Sequence, residues 1–522
     1  MRVASVVLVL SVGCARTPPP LVTPPPVTLP PPVVTLADGV LEGTRAAGDV
    51  VAFLGIAYAA PPVGALRWRP PEPPSQWPGT RTATQFGAAC LQLPARWLPY
   101  LGGSEDCLFL NVWTTQPSRG APVIVYFHGG SNRAGYSQLD PLGPALSRDG
   151  VVFVSANYRL GPMGFFAHPA LTAESEHHAS GNYGLLDQLD ALAWVHANIA
   201  AFGGDPARIT VMGQSAGAFD ICLLMASPLA RGLFARAILE SGECQSTPVK
   251  ELRTPVAHDA ITRTGEGDGE RLARDLGIAD GPGAAGALRS VPADAIMSAW
   301  RGDRTASFDA IVDGWVVPAQ PAAIFADGEQ LPVAVLVGSN ADEATVFGHG
   351  DGTVPEYRAF LRASTGAYAD EVFAMYPAAS NAEAAVQRVR VESDQFAYGA
   401  YALARAMARA GQPAFFYELT YAETGPRAAL GAYHGLELRL LSASLPANRA
   451  ADRLGQQLRA YWTQFAKTGN PETPGLPAWP AFDPTAPRVQ ALGPTIGSLA
   501  VSPQLLALDR IMTKIIAETR AR

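Results

Sequence analysis

The chain predicts an α/β fold with a large, mostly parallel central sheet, flanked by helices and carrying helical insertions. Three observations predict it. APVIVYFHGG (121–130) and VVFVSANYRL (151–160) are continuous apolar, β-rich runs, as strands covered on both faces are. YGLLDQLDALAWVHANIAAFGG (183–204) repeats apolar residues at three and four, the helical period, and stops on glycines. FARAILESG (234–242) and LPVAVLVGSN (331–340) read as further strands, and such alternation of strands and helices favours a parallel sheet.

From the N-terminus, residues 1–14 hold one Arg, an apolar run of about ten residues and then small residues, which fits a signal peptide; about 20 apolar residues would be needed to span a bilayer. Export is therefore expected. Ser11-Val12-Gly13-Cys14 resembles a bacterial lipobox, with Ser11 where Leu is usual, so lipidation of Cys14 is expected; cleavage after Ala15 is the alternative. The expected location is a lipid-anchored place in the cell envelope, otherwise the periplasm or the medium. Residues 15–35 are expected to form a tether: the nine prolines between 17 and 32 favour an extended polyproline spacer of roughly 50 Å.

Residues 36–522 are expected to form one large domain. With 48% hydrophobic and 16% charged residues, the 522-residue chain can bury a large core, and its net charge of −7 argues against nucleic-acid partners, whose phosphates demand a basic face. The four remaining cysteines suit an exported chain and offer two candidate pairs, Cys90 with Cys107 and Cys222 with Cys244. The stretch from about 250 to 305 reads as loop-rich between helical pieces, and 350–411 reads mainly helical.

Chemistry concentrates at RITVMGQSAGAFDICLLMAS. Ile209 to Met212 read as a strand and Ala216 to Met225 as a helix, which puts Ser215 at the junction, inside G-x-S-x-G. With 51 glycines, such a pattern arises by chance roughly 0.3 times in a chain like this, so its context has to carry it. A serine hydroxyl needs a base and a carboxylate to act as a nucleophile, here in the order serine, acid, histidine. VAVLVGSN ends in Ala341-Asp342-Glu343, and spacing leaves both carboxylates open. Beyond them lie only His349, in a glycine-rich turn, and His434, in GAYHGLEL before a helix start; His434 is the better base. His128-Gly129-Gly130-Ser131 follows the first buried strand, as an oxyanion loop should, and the expected donors are the amides of Gly130, Ser131 and Ala216. His177 and His178 lack a second ligand cluster and read as a solvated loop, so no metal is expected.

These motifs, together with FLGIAYAAPPVGALRW, SEDCLFLNVW, NYRLGPMGFF, VDGWVVP, GSNADE and FAKTGNP, resemble the type-B carboxylesterase/lipase family of α/β-hydrolases from about residue 35 to 485. The resemblance implies the α/β-hydrolase fold, Ser215 as nucleophile, Glu343 rather than Asp342 as acid, and His434 as base. It also implies the Cys90–Cys107 disulfide and an ion pair between Arg67 and Glu105. Trp97 cannot be equated with the choline-binding tryptophan of cholinesterases, because the loop between Cys90 and Cys107 is short. Two positions depart from the family pattern: Ser131 stands for a third glycine, and Gln214 for the Glu often found before the nucleophile. A Glu at 214 is expected to move the pH optimum by no more than about one unit. The function expected is an exported serine carboxylesterase acting on small-molecule esters without a cofactor. A long-chain lipase and a non-catalytic, adhesion-type member of the fold are the alternatives.

Overall fold

The computed structural model describes residues 30–46, 48–95, 98–115, 119–254, 263–303, 307–348, 352–445 and 448–521. Cys14, the spacer up to residue 29, Trp97 and His349 lie outside the described residues. The strands are β1 (Val33–Leu36), β2 (Gly39–Glu42), β3 (Thr44–Arg45), β4 (Val50–Ala57), β5 (Thr80–Thr82), β6 (Phe109–Thr115) and β7 (Ala121–Phe127). They continue with β8 (Val152–Ala156), β9 (Gly204–Gln214), β10 (Arg236–Glu240), β11 (Ala334–Asn340), β12 (Ala414–Leu419), β13 (Arg488–Leu492) and β14 (Gly497–Ala500).

Eleven of them form one sheet in the order β14-β13-β12-β11-β10-β9-β7-β8-β6-β4-β3, and β1, β2 and β5 form a small second sheet. The centre of the large sheet, from β13 to β8, is parallel, while β14 at one edge and β6, β4 and β3 at the other run antiparallel. The sheet is therefore mixed, with the expected parallel order at its core.

Period-two alternation builds a core on each face. Val123, Val125 and Phe127 of β7, with Val211 and Leu239, enter one apolar cluster. Ile124 and Tyr126, with Met212 and Ile238, enter the other. Leu185, Leu192 and Val195 of the helix Tyr183–Asn198 cover the first face, and Leu454, Leu458 and Trp462 of Arg449–Thr468 cover the second. Both faces being buried is why these strands read as unbroken apolar runs.

Residues Pro32–Arg522 form one compact unit. Its first strand takes in Val33–Leu36, most of which the sequence reading assigns to the tether, because Val33 to Leu36 pair with β2. β8 ends at Ala156, short of the expected 160. Asn157 N still donates to Phe109 O of β6 at 2.9 Å, while its side chain bonds outside the sheet, Oδ1 accepting from Ser137 N at 2.7 Å and the amide donating to Ala88 O at 2.9 Å. Between 250 and 305 the chain forms the helices Gly265–Asp275, Ala284–Ser290 and Ala293–Gly302. Glycines hid the first of these, and at Gly269 packing explains one of them: a Cβ there would run into the Ala167 carbonyl. The helices Val354–Thr365, Ala369–Met375 and Asn381–Arg409 fill the expected helical region between β11 and β12.

Both candidate cysteine pairs are bonded, with Cα atoms 4.9 Å apart for Cys90–Cys107 and 5.6 Å for Cys222–Cys244. Loops of 17 and 22 residues imply about 3 kcal/mol of stabilisation each in the chain-entropy view. Two bonded pairs point to an oxidising compartment, extracellular or periplasmic. Among the described residues no helix is long and apolar enough to cross a membrane. Arg67 and Glu105 form the pair that the resemblance implies, as a two-pronged fork of 2.6 Å bonds with both side chains largely buried.

Candidate active site

The parallel strands deliver the expected site residues to one edge, because each of them follows the carboxyl end of a strand. Ser215 follows β9, the His128 loop follows β7, Glu343 follows β11, and His434 lies beyond β12. Ser215 has φ 56° and ψ −122°, an unfavourable geometry for a residue with a side chain. It is held there at both ends: its N–H donates to Glu240 O at 2.8 Å, and its carbonyl accepts from Phe219 N at 2.9 Å. The flanking glycines are explained by close approach. A Cβ on Gly213 would lie 2.5 Å from the Gly217 carbonyl carbon, and one on Gly217 would run into the Phe127 carbonyl.

The His128 loop packs directly on this turn. A Cβ on Gly129 would lie 2.7 Å from Gln214 O and 2.9 Å from Ser215 Cβ, so only glycine lets the two backbones meet. Gly130, Ser131 and Asn132 then follow with φ of 124°, 55° and 53°. For Ser131 that left-handed conformation costs about 1–2 kcal/mol, and Asn132 is of a residue type that tolerates it better. Ser131 thus holds a conformation that glycine would take without that cost. Among the described residues the Gly130, Ser131 and Ala216 amides donate to no backbone or side-chain acceptor, and Ala216 opens the helix Ala216–Ala226, where an N–H has no intrahelical partner. Burial lowers the His128 pKa to about 4, and its neutral ring stacks on Tyr158.

His434 Nδ1 lies 2.5 Å from Glu343 Oε2, and Glu343 is fully buried, with its other oxygen accepting from Asn340 N at 2.7 Å. Asp342 is turned elsewhere: its Oδ2 accepts from Ala432 N at 2.8 Å and anchors the loop that carries His434. Between the two carboxylates the contact to imidazole is Glu343's. Burial pushes the His434 pKa down, but the Glu343 charge, the hydrogen bond to it and the Glu437 charge outweigh this and hold it above its ordinary value. Glu437 is itself raised to about 7, by burial first and then by the Glu343 charge.

His434 Nε2 faces Gln214 Nε2 at 3.0 Å. With the proton on Nδ1 directed at Glu343, Nε2 is an acceptor and the Gln214 amide donates to it. This contact bears on the expected small effect of a Glu at 214. A carboxylate 3 Å from the ring would stabilise imidazolium directly, so Gln214→Glu is now expected to raise the His434 pKa by at least one unit. Sequence spacing held no sign of that contact, which joins residues 220 positions apart.

Ser215 opens into a cavity of about 590 Å³ whose wall includes Phe219, Phe360, Phe396, Tyr398 and Met512. Phe347 and Phe396 flank the His434 ring, with centroids 5.1 and 5.3 Å away. Apart from Phe219, which lies in the helix Ala216–Ala226, these aromatics come from the region between β11 and β12, and nothing in their spacing marked them as site residues. His177, outside this site, stacks on Trp315 with ring centroids 3.8 Å apart.

Comparison with known proteins finds relatives along most of the chain. A family model described as the carboxylesterase family matches residues 30–499. Fumonisin B1 esterase of Sphingopyxis macrogoltabida is 38% identical over 493 residues, covering 89% of this chain and 87% of that protein. Para-nitrobenzyl esterase of Bacillus subtilis (strain 168) is 34% identical over 472 residues, covering 86% and 92%. A solved PNB esterase structure superposes with a TM-score of 0.79 at 30% identity, covering 91% of this chain and 99% of that one.

Proposed function

The chain belongs to the carboxylesterase family and is a carboxylic ester hydrolase, and from that premise we propose that Ser215, His434 and Glu343 are its nucleophile, base and acid. The observation that carries the proposal is the His434 ring, tied to Glu343 through Nδ1 and facing the Ser215 turn through Nε2. In this reading neutral His434 takes the Ser215 proton at Nε2 as Oγ attacks the ester carbonyl carbon. The Gln214 amide gives up Nε2 at that step, since one lone pair cannot accept from both. The tetrahedral oxyanion is held by the amides of Gly130, Ser131 and Ala216. His434 then protonates the leaving alcohol, an acyl-enzyme remains, and the same imidazole deprotonates the water that releases the carboxylic acid and restores Ser215.

The test is a panel of p-nitrophenyl esters from C2 to C16, with a para-nitrobenzyl ester and fumonisin B1 added because relatives are named for them. A carboxylesterase is expected to turn over the short esters best. Highest activity at C16, rising sharply when the ester forms an interface, would instead favour the long-chain lipase. The non-catalytic reading is disfavoured by the presence of all three residues.

The pH profile follows from the raised His434 pKa. The base acts only when neutral, so kcat/KM is lost as pH falls through a value above 6.5. Gln214→Glu is expected to move that acid limb upward by at least one unit, and a limb that stays in place would overturn the role given to the Gln214 contact. Export and lipidation at Cys14 are part of the proposal, and the two disulfides support export. If Cys14 carries a lipid, Cys14→Ser moves the protein from the membrane fraction to the soluble one.

A further inference from the structure

We propose that Asn132 is a positioning residue for the oxyanion loop, clamped by the carboxyl groups of Asp220 and Asp309. The inference rests on the Ser215 esterase reading and adds to it what holds the loop. Asn132 Nδ2 donates to Asp220 Oδ1 and to Asp309 Oδ1, each at 2.8 Å. The two carboxyl oxygens are therefore at most twice 2.8 Å apart. Asn132, Asp220 and Gln188 are fully buried, and Gln188 Nε2 donates to the second oxygen of Asp220 at 2.7 Å. Asn132 O accepts from Gly161 N at 2.6 Å. Three separate segments thus grip one residue: the helix Ala216–Ala226 that starts behind Ser215, the chain around Asp309, and the turn at Gly161.

The grip matters because Gly130, Ser131 and Asn132 stand in succession at positive φ. Ser131 carries a side chain that disfavours that conformation and would leave it if Asn132 were released. The amides of Gly130 and Ser131 would turn with it. Two buried carboxylates this close repel, which favours one of them, Asp220, keeping its proton. Asn132 Oδ1 and Gln188 Oε1 are buried acceptors without a donor among the described residues, and a carboxyl O–H is the kind of donor they lack. The other groups facing the pair are Tyr158 beside Asp220, Arg133 and Lys250 beside Asp309, and Ala310 N, which donates to Asp309 at 2.9 Å. Lys250 is itself paired with Asp268. Burial, with the nearby Asp309 charge, raises the Asp220 pKa to about 8.

The test uses the full chain and a short p-nitrophenyl ester, with rates normalised by active-site titration. Asn132→Gly keeps the backbone freedom and removes the clamp. It is expected to lower kcat by about 10²-fold, as loss of an oxyanion donor does, and to leave KM within about threefold. The wild type is expected to lose kcat as pH rises through about 8, when Asp220 gives up its proton and two charges face each other across Asn132. Asp220→Asn, which holds no such proton, is expected to lack that alkaline loss. A kcat for Asn132→Gly within threefold of the wild type overturns the clamp. So does an alkaline loss that persists in Asp220→Asn, and this second variant decides the matter if Asn132→Gly does not fold. If Ser215→Ala is as active as the wild type, the esterase reading itself fails; if only Ser215→Ala is impaired, the clamp alone fails.

Discussion

Ser215→Ala lowers kcat/KM for a short-chain p-nitrophenyl ester by about 10⁵-fold or more and leaves the melting temperature within a few degrees of the wild type. Both halves follow from the turn. The substitution removes only Oγ, the atom that would form the acyl bond, and nucleophile deletions in serine hydrolases cost about that much. The contacts that hold the turn are made by the backbone, Ser215 N to Glu240 O and Phe219 N to Ser215 O, and alanine keeps them. Gly213 and Gly217 still meet. Ester hydrolysis and a circular-dichroism melt on the same preparation check the pair of outcomes. Undiminished hydrolysis by the variant would place the chemistry on another residue.

Glu343→Gln costs about 10⁴-fold in kcat, whereas Asp342→Asn costs less than about tenfold. The first substitution removes the charge that holds His434 with its proton on Nδ1, and loss of that orientation in a serine triad costs about four orders of magnitude. It also removes the largest influence raising the His434 pKa, so the residual acid limb moves to lower pH. Asp342 uses its side chain to accept from Ala432 N, and the Asn carbonyl oxygen can accept in the same place. Steady-state kinetics of the two variants between pH 5 and pH 9 distinguishes them. Equal losses in both would mean that Glu343 has no special tie to the imidazole.

Much of the centre of the fold was legible in local pattern. The runs at 121–127, 152–156, 236–240 and 334–340 form strands because both of their faces are covered, and that burial is what makes them mainly apolar. The turn around Ser215 was legible for a different reason: strand, small residues and helix succeed one another within a few positions, and that order is the geometry. Elements with weaker local signals escaped. β9 begins at Gly204, five residues before the apolar stretch, because Gly204 pairs with Ala121 across the sheet. The helix Gly265–Asp275 carries glycines that would weaken it in isolation, and at Gly269 the neighbouring chain allows no side chain.

By itself the sequence determined a strand–turn–helix with a serine at its strained corner, a glycine-rich loop after an earlier strand, and a histidine late enough to serve it. Each of these is a matter of period, turn chemistry or chain order, which a single segment can encode. Tertiary structure decided what touches His434 and what holds Asn132. Glu343 lies 91 positions from His434 and Gln214 lies 220, while Asn132 meets Asp220 across 88 and Asp309 across 177. Such contacts are made by parallel strands that bring the ends of distant segments to one edge of the sheet, and no local spacing records which ends will meet there.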